Sequence, residues 1–316
     1  MGEFGWPNNY PQDQERYNLL GETYLRDMRA AGLRGSQWAT GEWWGSAYRL
    51  SVYARTASGR PVDTMRPQAP VLERHTDIAG IQVNGGEFGA PSGITALSVF
   101  SNANPGRYDI DWHYDSQATF SYLASRGLRE VTIPFRWERI QPAPGGGLDP
   151  AELGRLEAAI GRARGAGLEA VPMVANYGAY WLHDPLTGSG IRRPIGGAQI
   201  TIAHFADLWR RLSAALDDES GIAAYGLMRE PIGQPGGSIR DQAKVWEAAS
   251  QAAVNAIRAN GDDELLLVPG YRYSNTHNWP TQHPSSWVKD PLNNYLYEAH
   301  HYWDAQHSGD YQSYDL

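Results

Sequence analysis

The chain contains no cysteine in its 316 residues, which removes disulfides, thiolate catalysis and cysteine-ligated zinc. It has no excess of positive charge. A formal net charge of −8 disfavours nucleic acid or an anionic membrane as partner, because either selects a basic stripe. No apolar run approaches the length of a membrane span. The first residues lack a basic segment followed by an apolar core, so no signal peptide is expected in this form; a mature secreted enzyme begins the same way. No candidate strand leads into a glycine-rich dinucleotide loop, which weakens the case for an open doubly wound sheet. Phenylalanine is scarce, at 6 residues.

What the chain does have is 12 tryptophans and 18 tyrosines. Flat amphipathic rings suit sugar faces and cleft walls, and they also fill ordinary cores. Gly 35 and Pro 20 imply many turns. Short apolar runs at Arg34–Ala39, Gly80–Asn84, Glu130–Pro134, Glu169–Ala175, Ile222–Met228, Glu264–Pro269 and Tyr295–His300 read as strands, and Gly2–Gly5 reads as the tail of one more. Helical spacing covers Glu15–Ala31, Ser116–Arg126, Pro150–Ala166, Ile202–Asp217 and Arg240–Asn260. Asp149 stands where it can cap the third of these, whose Leu153, Leu156 and Ile160 recur at helical period. Strand followed by helix, repeated about eight times, predicts a single α/β domain over residues 1–316, a (β/α)8 TIM barrel.

Two acidic residues close apolar strands. Glu3 lies in Gly2-Glu-Phe-Gly5, and Glu230 follows Tyr225-Gly-Leu-Met-Arg229 and precedes Pro231. Glu87 sits in a second Gly-Glu-Phe-Gly and is read as a structural or cleft-rim residue. His300 and Tyr302 are two apart on one strand and so share a face. The adjacent His300 and His301 point to opposite faces, and no third ligand has a persuasive spacing, so no metal site is expected.

The chain resembles the bacterial cellulases of glycoside hydrolase family 5, endo-β-1,4-glucanases, in circularly permuted order. Its first three strand motifs are similar to Ile78–Gly89, Val131-Thr-Ile-Pro-Phe-Arg-Trp-Glu-Arg-Ile-Gln-Pro142 and Val174-Ala-Asn-Tyr-Gly-Ala-Tyr180. The fourth to sixth resemble Tyr225–Pro231, Val268-Pro-Gly-Tyr-Arg-Tyr-Ser274 through Trp279, and Tyr297-Glu-Ala-His-His-Tyr-Trp-Asp304. The seventh falls at residues 2–5 and the eighth at Gln37-Trp-Ala-Thr-Gly-Glu-Trp-Trp-Gly45. That order implies a natural terminus junction within 54–79. The family's sixth helix has no counterpart, and an engineered rearrangement or trimmed ends would account for both features.

The resemblance implies Glu3 as nucleophile and Glu230 as acid/base, with His300 and Tyr302 supporting them. It implies substrate contacts from Trp38, Asn84, Asn176, Tyr177, Tyr273, Trp279 and Trp303. It also implies a β-glucan or cello-oligosaccharide substrate, retention of configuration, no metal or cofactor, a monomer, and secretion in the parent family. Three positions depart from the pattern. Thr132 replaces an arginine that holds the nucleophile, Ala175 replaces a histidine, and Arg229 replaces an asparagine that meets the sugar 2-hydroxyl. Arg229 is placed to reach the vacated volume and pair with Glu3 or Glu230. The expectation is impaired hydrolysis. Two alternatives stand beside it: a glutamate serving as general base on a non-sugar substrate, and a non-catalytic carbohydrate-binding protein.

Overall fold

The computed structural model describes residues 2–44, 47–56, 61–88, 105–186, 190–311 and 314. Residues 57–60 of the expected junction lie outside that set. Eight strands form one parallel sheet. They are β1 (Glu3–Phe4), β2 (Gly35–Gln37), β3 (Ala79–Gln82), β4 (Glu130–Phe135), β5 (Glu169–Val174), β6 (Tyr225–Gly226), β7 (Leu266–Pro269) and β8 (Tyr295–Glu298). Each pairs with the next, and the ring is brought nearly to closure by a parallel bridge from Phe4 to His301. There the His301 N–H donates to the Glu3 carbonyl at 2.8 Å. The two residues of β1 are enough to complete the ring because the chain runs beside it on both sides. This is the architecture of a (β/α)8 barrel.

The longer helices outside the ring are α1 (Gln14–Ala30), α2 (Gln117–Ser125), α3 (Pro150–Gly165), α4 (Ile202–Leu216) and α5 (Ile239–Ala259). Their starts follow local chemistry. The Asp149 carboxylate accepts from Glu152 N at 2.8 Å, and Ser238 caps α5 in the same way. Thr201 and His204 exchange side-chain and backbone bonds at the start of α4, a capping box with histidine in the glutamate position. Helix α4 buries Phe205, Leu208, Trp209, Leu212 and Leu216. That spacing keeps one face against the barrel, and each such side chain contributes about 1.5–3 kcal/mol on burial.

Some expectations required correction. The run Ile222–Met228 pairs over only Tyr225–Gly226, with Ile222 bridging Ala170 separately. An antiparallel hairpin, Ala179–His183 with Gly190–Pro194, follows β5 where no strand was expected. Between β7 and β8 the described helix is only Trp279–Gln282, and among the described residues after β8 there is no helix. None of the described helices is long and apolar enough to cross a membrane.

Glycines carry the loops close to the barrel mouth. A Cβ at Gly2 would stand 2.0 Å from the Ala299 carbonyl oxygen, and one at Gly86 would stand 2.2 Å from that of Pro134. Backbone cannot yield by that much, so in both Gly-Glu-Phe segments a missing side chain is what tucks the glutamate inward.

Candidate active site

The C-terminal ends of the strands bring Glu3, Glu230, His300 and Tyr302 together. The Tyr302 hydroxyl donates to Glu3 Oε1 at 2.6 Å, and Gln82 Nε2 donates to Glu3 Oε2 at 2.9 Å. His300 Nδ1 lies 2.8 Å from Glu230 Oε1 and 3.6 Å from Glu3 Oε1, while its Nε2 lies 3.1 Å from Glu298 Oε1. Glu3 is buried, and Glu230 keeps a side chain 21% exposed. Glu230 has φ of +46°. A β-carbon residue in that region costs roughly 1–3 kcal/mol, and such strain concentrates where function over-determines the backbone.

Burial pushes the Glu230 carboxyl above the ordinary carboxylate range, although its bond with His300 works the other way. For His300, burial alone would lower the imidazole. The charge of Glu3 and the bonds to Glu230 and Glu298 outweigh it and hold His300 well above its usual value. Burial, reinforced by the charge of Glu3, keeps the Tyr302 phenol protonated far above its usual range, so it remains a donor. One carboxyl biased towards its proton beside one held by donors is the division of labour that acid/base chemistry needs.

Ligating atoms of Glu3, Glu230 and His300 lie within 4.8 Å of one another. Sequence spacing did not suggest such a trio, because its members come from three strands. Both His300 nitrogens already face carboxylates, and a cationic imidazole offers protons rather than lone pairs. The arrangement is suited to holding a proton.

Two cavities meet at Glu230. One, about 500 Å³, is lined by Glu3, Trp38, Tyr48, Tyr177, Arg229 and Tyr302 among others. The other, about 380 Å³, is lined by Arg272, Tyr273, Asn275, Asn278 and His307 together with His300. Trp38 walls the first, its Nε1 donating to the Tyr48 hydroxyl at 2.6 Å. Tyr177, at φ of +54°, borders the same cavity. Tyr273 is 47% exposed and edges the second.

Other predicted contacts fall elsewhere. The Asn84 carbonyl oxygen accepts from Trp44 Nε1 at 2.9 Å, and that of Asn176 accepts from Trp137 N at 2.7 Å. Both amides are fully buried, organise the strand ends and line neither of the two cavities. Trp279 packs on Trp287 and Tyr297, and Trp303 on Trp6 and Tyr24. Neither tryptophan lines the two cavities.

Thr132 is buried beside Ser36, and Ala175 is fully buried. Arg229 runs inward and not to Glu230. Its Nη1 binds Glu87, its Nη2 binds Gln82 Oε1, and its Nε stands 4.0 Å from Glu3 Oε2. Glu230 therefore escapes the direct pairing with Arg229 that would favour loss of its proton. Sequence reasoning missed Gln82 and Glu298. The signal for both was spacing, since each lies two residues before a singled-out residue, Asn84 or His300, on the same strand face.

The family model described as cellulase, glycosyl hydrolase family 5, matches residues 85–315. Among similar proteins, the manganese dependent endoglucanase Eg5A of Phanerodontia chrysosporium is 28% identical over 229 residues, 68% of this chain and 55% of its own. Endoglucanase 1 of Robillarda sp. is 29% identical over 245 residues, 73% of this chain and 60% of its own. The chain thus spans less than two thirds of these curated relatives. Among solved structures, Pseudomonas stutzeri endoglucanase Cel5A in complex with cellobiose superposes with a TM-score of 0.61 at 30% identity, covering 73% of this chain and 62% of that one. XacCel5A in complex with cellopentaose gives 0.60 at 31% identity, covering 74% and 68%. With its barrel, its paired carboxylates and a family match over most of its length, this chain belongs to glycosyl hydrolase family 5, the cellulase family.

Proposed function

We propose that the chain hydrolyses β-1,4-glucan internally and with retention of configuration. The observation that carries this reading is the approach of Glu3 and Glu230 carboxylate oxygens within 4.8 Å. Retaining enzymes hold their two carboxyl groups about 5–5.5 Å apart, whereas inverting ones leave about 6.5–9.5 Å for a water. Glu3, held by Tyr302 and Gln82, attacks the anomeric carbon. Glu230 gives its proton to the departing oxygen, then takes one from the water that releases the glycosyl-enzyme. His300, between them, holds positive charge near both and orients the acid. Sugar rings stack on Trp38 on one side of the bond and meet Tyr273 on the other.

Arg229 offers donors and no acceptor where an asparagine would offer both, so turnover is reduced without being abolished. The cellopentaose complex of XacCel5A supports cello-oligosaccharides as substrates. Proton NMR of the first-formed product from cellopentaose tests the reading: the β-anomer is expected. Glu3→Gln and Glu230→Gln should each abolish release of reducing ends. Binding without turnover in the unmodified protein would instead establish a carbohydrate-binding role.

We also read the chain order as rotated relative to the family. The family match starts at residue 85, after Glu3 and Trp38, as a linear comparison does when a leading block has been moved. A variant that joins the two ends and opens within residues 54–79 should fold and keep its activity.

A further inference from the structure

Beside Glu3, opposite its bond to Tyr302, a row of buried polar side chains is left unassigned by the acid/base chemistry. Glu87, fully buried, accepts from the Tyr177 hydroxyl and from Arg229 Nη1. Arg229 Nη2 donates to Gln82 Oε1, and Gln82 Nε2 donates to Glu3 Oε2 at 2.9 Å. Arg229 Nε, buried, makes no hydrogen bond and stands 4.0 Å from the same Glu3 oxygen. The guanidinium lies over the Trp38 ring, 4.9 Å from its centroid.

Donor and acceptor identities give this row a direction. Arginine can only donate, so the Gln82 amide must turn its oxygen to Arg229 and therefore its NH2 to Glu3. A carboxylate that receives that donor is favoured in its ionised form and fixed in rotation. Glu87 acts from the far end. By taking Nη1 it keeps the guanidinium from closing a two-pronged pair on Glu3, which would shield the attacking oxygen with the strongest contact a carboxylate can make.

We infer that Gln82, bonded directly to Glu3, and Glu87, acting through Arg229, are positioning residues of the hydrolysis that keep Glu3 oriented and free to attack. This rests on Glu3 being the nucleophile. The two residues act at opposite ends of the row. Losing the Gln82 donor leaves the Glu3 carboxylate free to rotate. Losing the Glu87 charge releases Arg229 towards Glu3, where it covers the attacking oxygen.

The test is the split between kcat and KM on 2,4-dinitrophenyl β-cellobioside, whose leaving group departs without a proton, so the first step reports the nucleophile. Gln82→Met should lower kcat roughly 10–100-fold, the usual effect of one bond to a charged group, with KM within about twofold. Glu87→Gln should lower kcat in the same way in the unmodified background and have little effect in an Arg229→Met background, because it acts through Arg229. If Glu87→Gln does not fold, Glu87→Asp keeps the charge and withdraws it by one methylene, and is expected to lower kcat less. Folded variants with unchanged kcat, or a Glu87→Gln effect that is the same with and without Arg229, overturn the inference, as does complete loss of turnover at unchanged melting temperature. Glu3→Gln run alongside separates the two levels: turnover surviving there removes the nucleophile assignment itself.

Discussion

Glu3 and Tyr302 lie 299 residues apart in the chain and are joined by a hydrogen bond of 2.6 Å. The bond is possible because the Phe4–His301 bridge sets the first and last described strands side by side. The orientation of the Glu3 carboxylate therefore depends on ring closure and not on any local motif. Tyr302→Phe removes the donor while keeping the ring. A hydrogen bond to a charged group is worth about 1.5–3 kcal/mol, so kcat/KM on cello-oligosaccharides should fall roughly 10–100-fold. A change smaller than threefold would mean Glu3 is held adequately by Gln82 alone.

His300 couples the two carboxyls, and its removal has a predictable sign. Its bond and its charge both lower the Glu230 pKa. In His300→Gln the charge is gone, so Glu230 retains its proton to higher pH. The descending limb of kcat/KM should then move to higher pH while the maximum rate drops. A descending limb that moves down instead would place the essential proton on His300.

The first strand is fastened from behind by Tyr311. Its hydroxyl, fully buried, donates to the Gly5 carbonyl at 2.6 Å and accepts from Trp303 N at 3.1 Å. Tyr311→Phe leaves two backbone groups unpaired and should destabilise by about 1–3 kcal/mol. Tyr311→Ala adds a cavity, for a loss of about 3–5 kcal/mol. Urea unfolding followed by tryptophan fluorescence measures both, and equal losses for the two would show that the ring contributes nothing beyond its hydroxyl.

Asn176 separates a structural amide from a sugar contact. Its oxygen accepts from Trp137 N at 2.7 Å, and its nitrogen donates to Glu138 Oε2 at 2.5 Å. Asn176→Ala should therefore cost stability, about 1–3 kcal/mol for the groups left unpaired, with KM for cellopentaose unchanged in the folded protein. A raised KM at unchanged stability would return this residue to the substrate.

Read alone, the sequence determined the barrel. Apolar runs of strand length alternating with helical periods place all eight strands, because period and length are local properties that survive without knowledge of neighbours. The motifs around Glu3, Glu230, His300 and Tyr302 were equally legible, since each lies within a few consecutive residues. What only the tertiary structure decided is which group each polar side chain meets. Asn84 and Asn176 have the composition of sugar contacts, yet backbone and indole N–H groups from other segments take them first. Arg229 is adjacent to Glu230 in the chain and turns instead to Glu87 and Gln82. The cause is geometric: successive residues at a strand end diverge in direction, while ring closure brings together side chains separated by most of the chain.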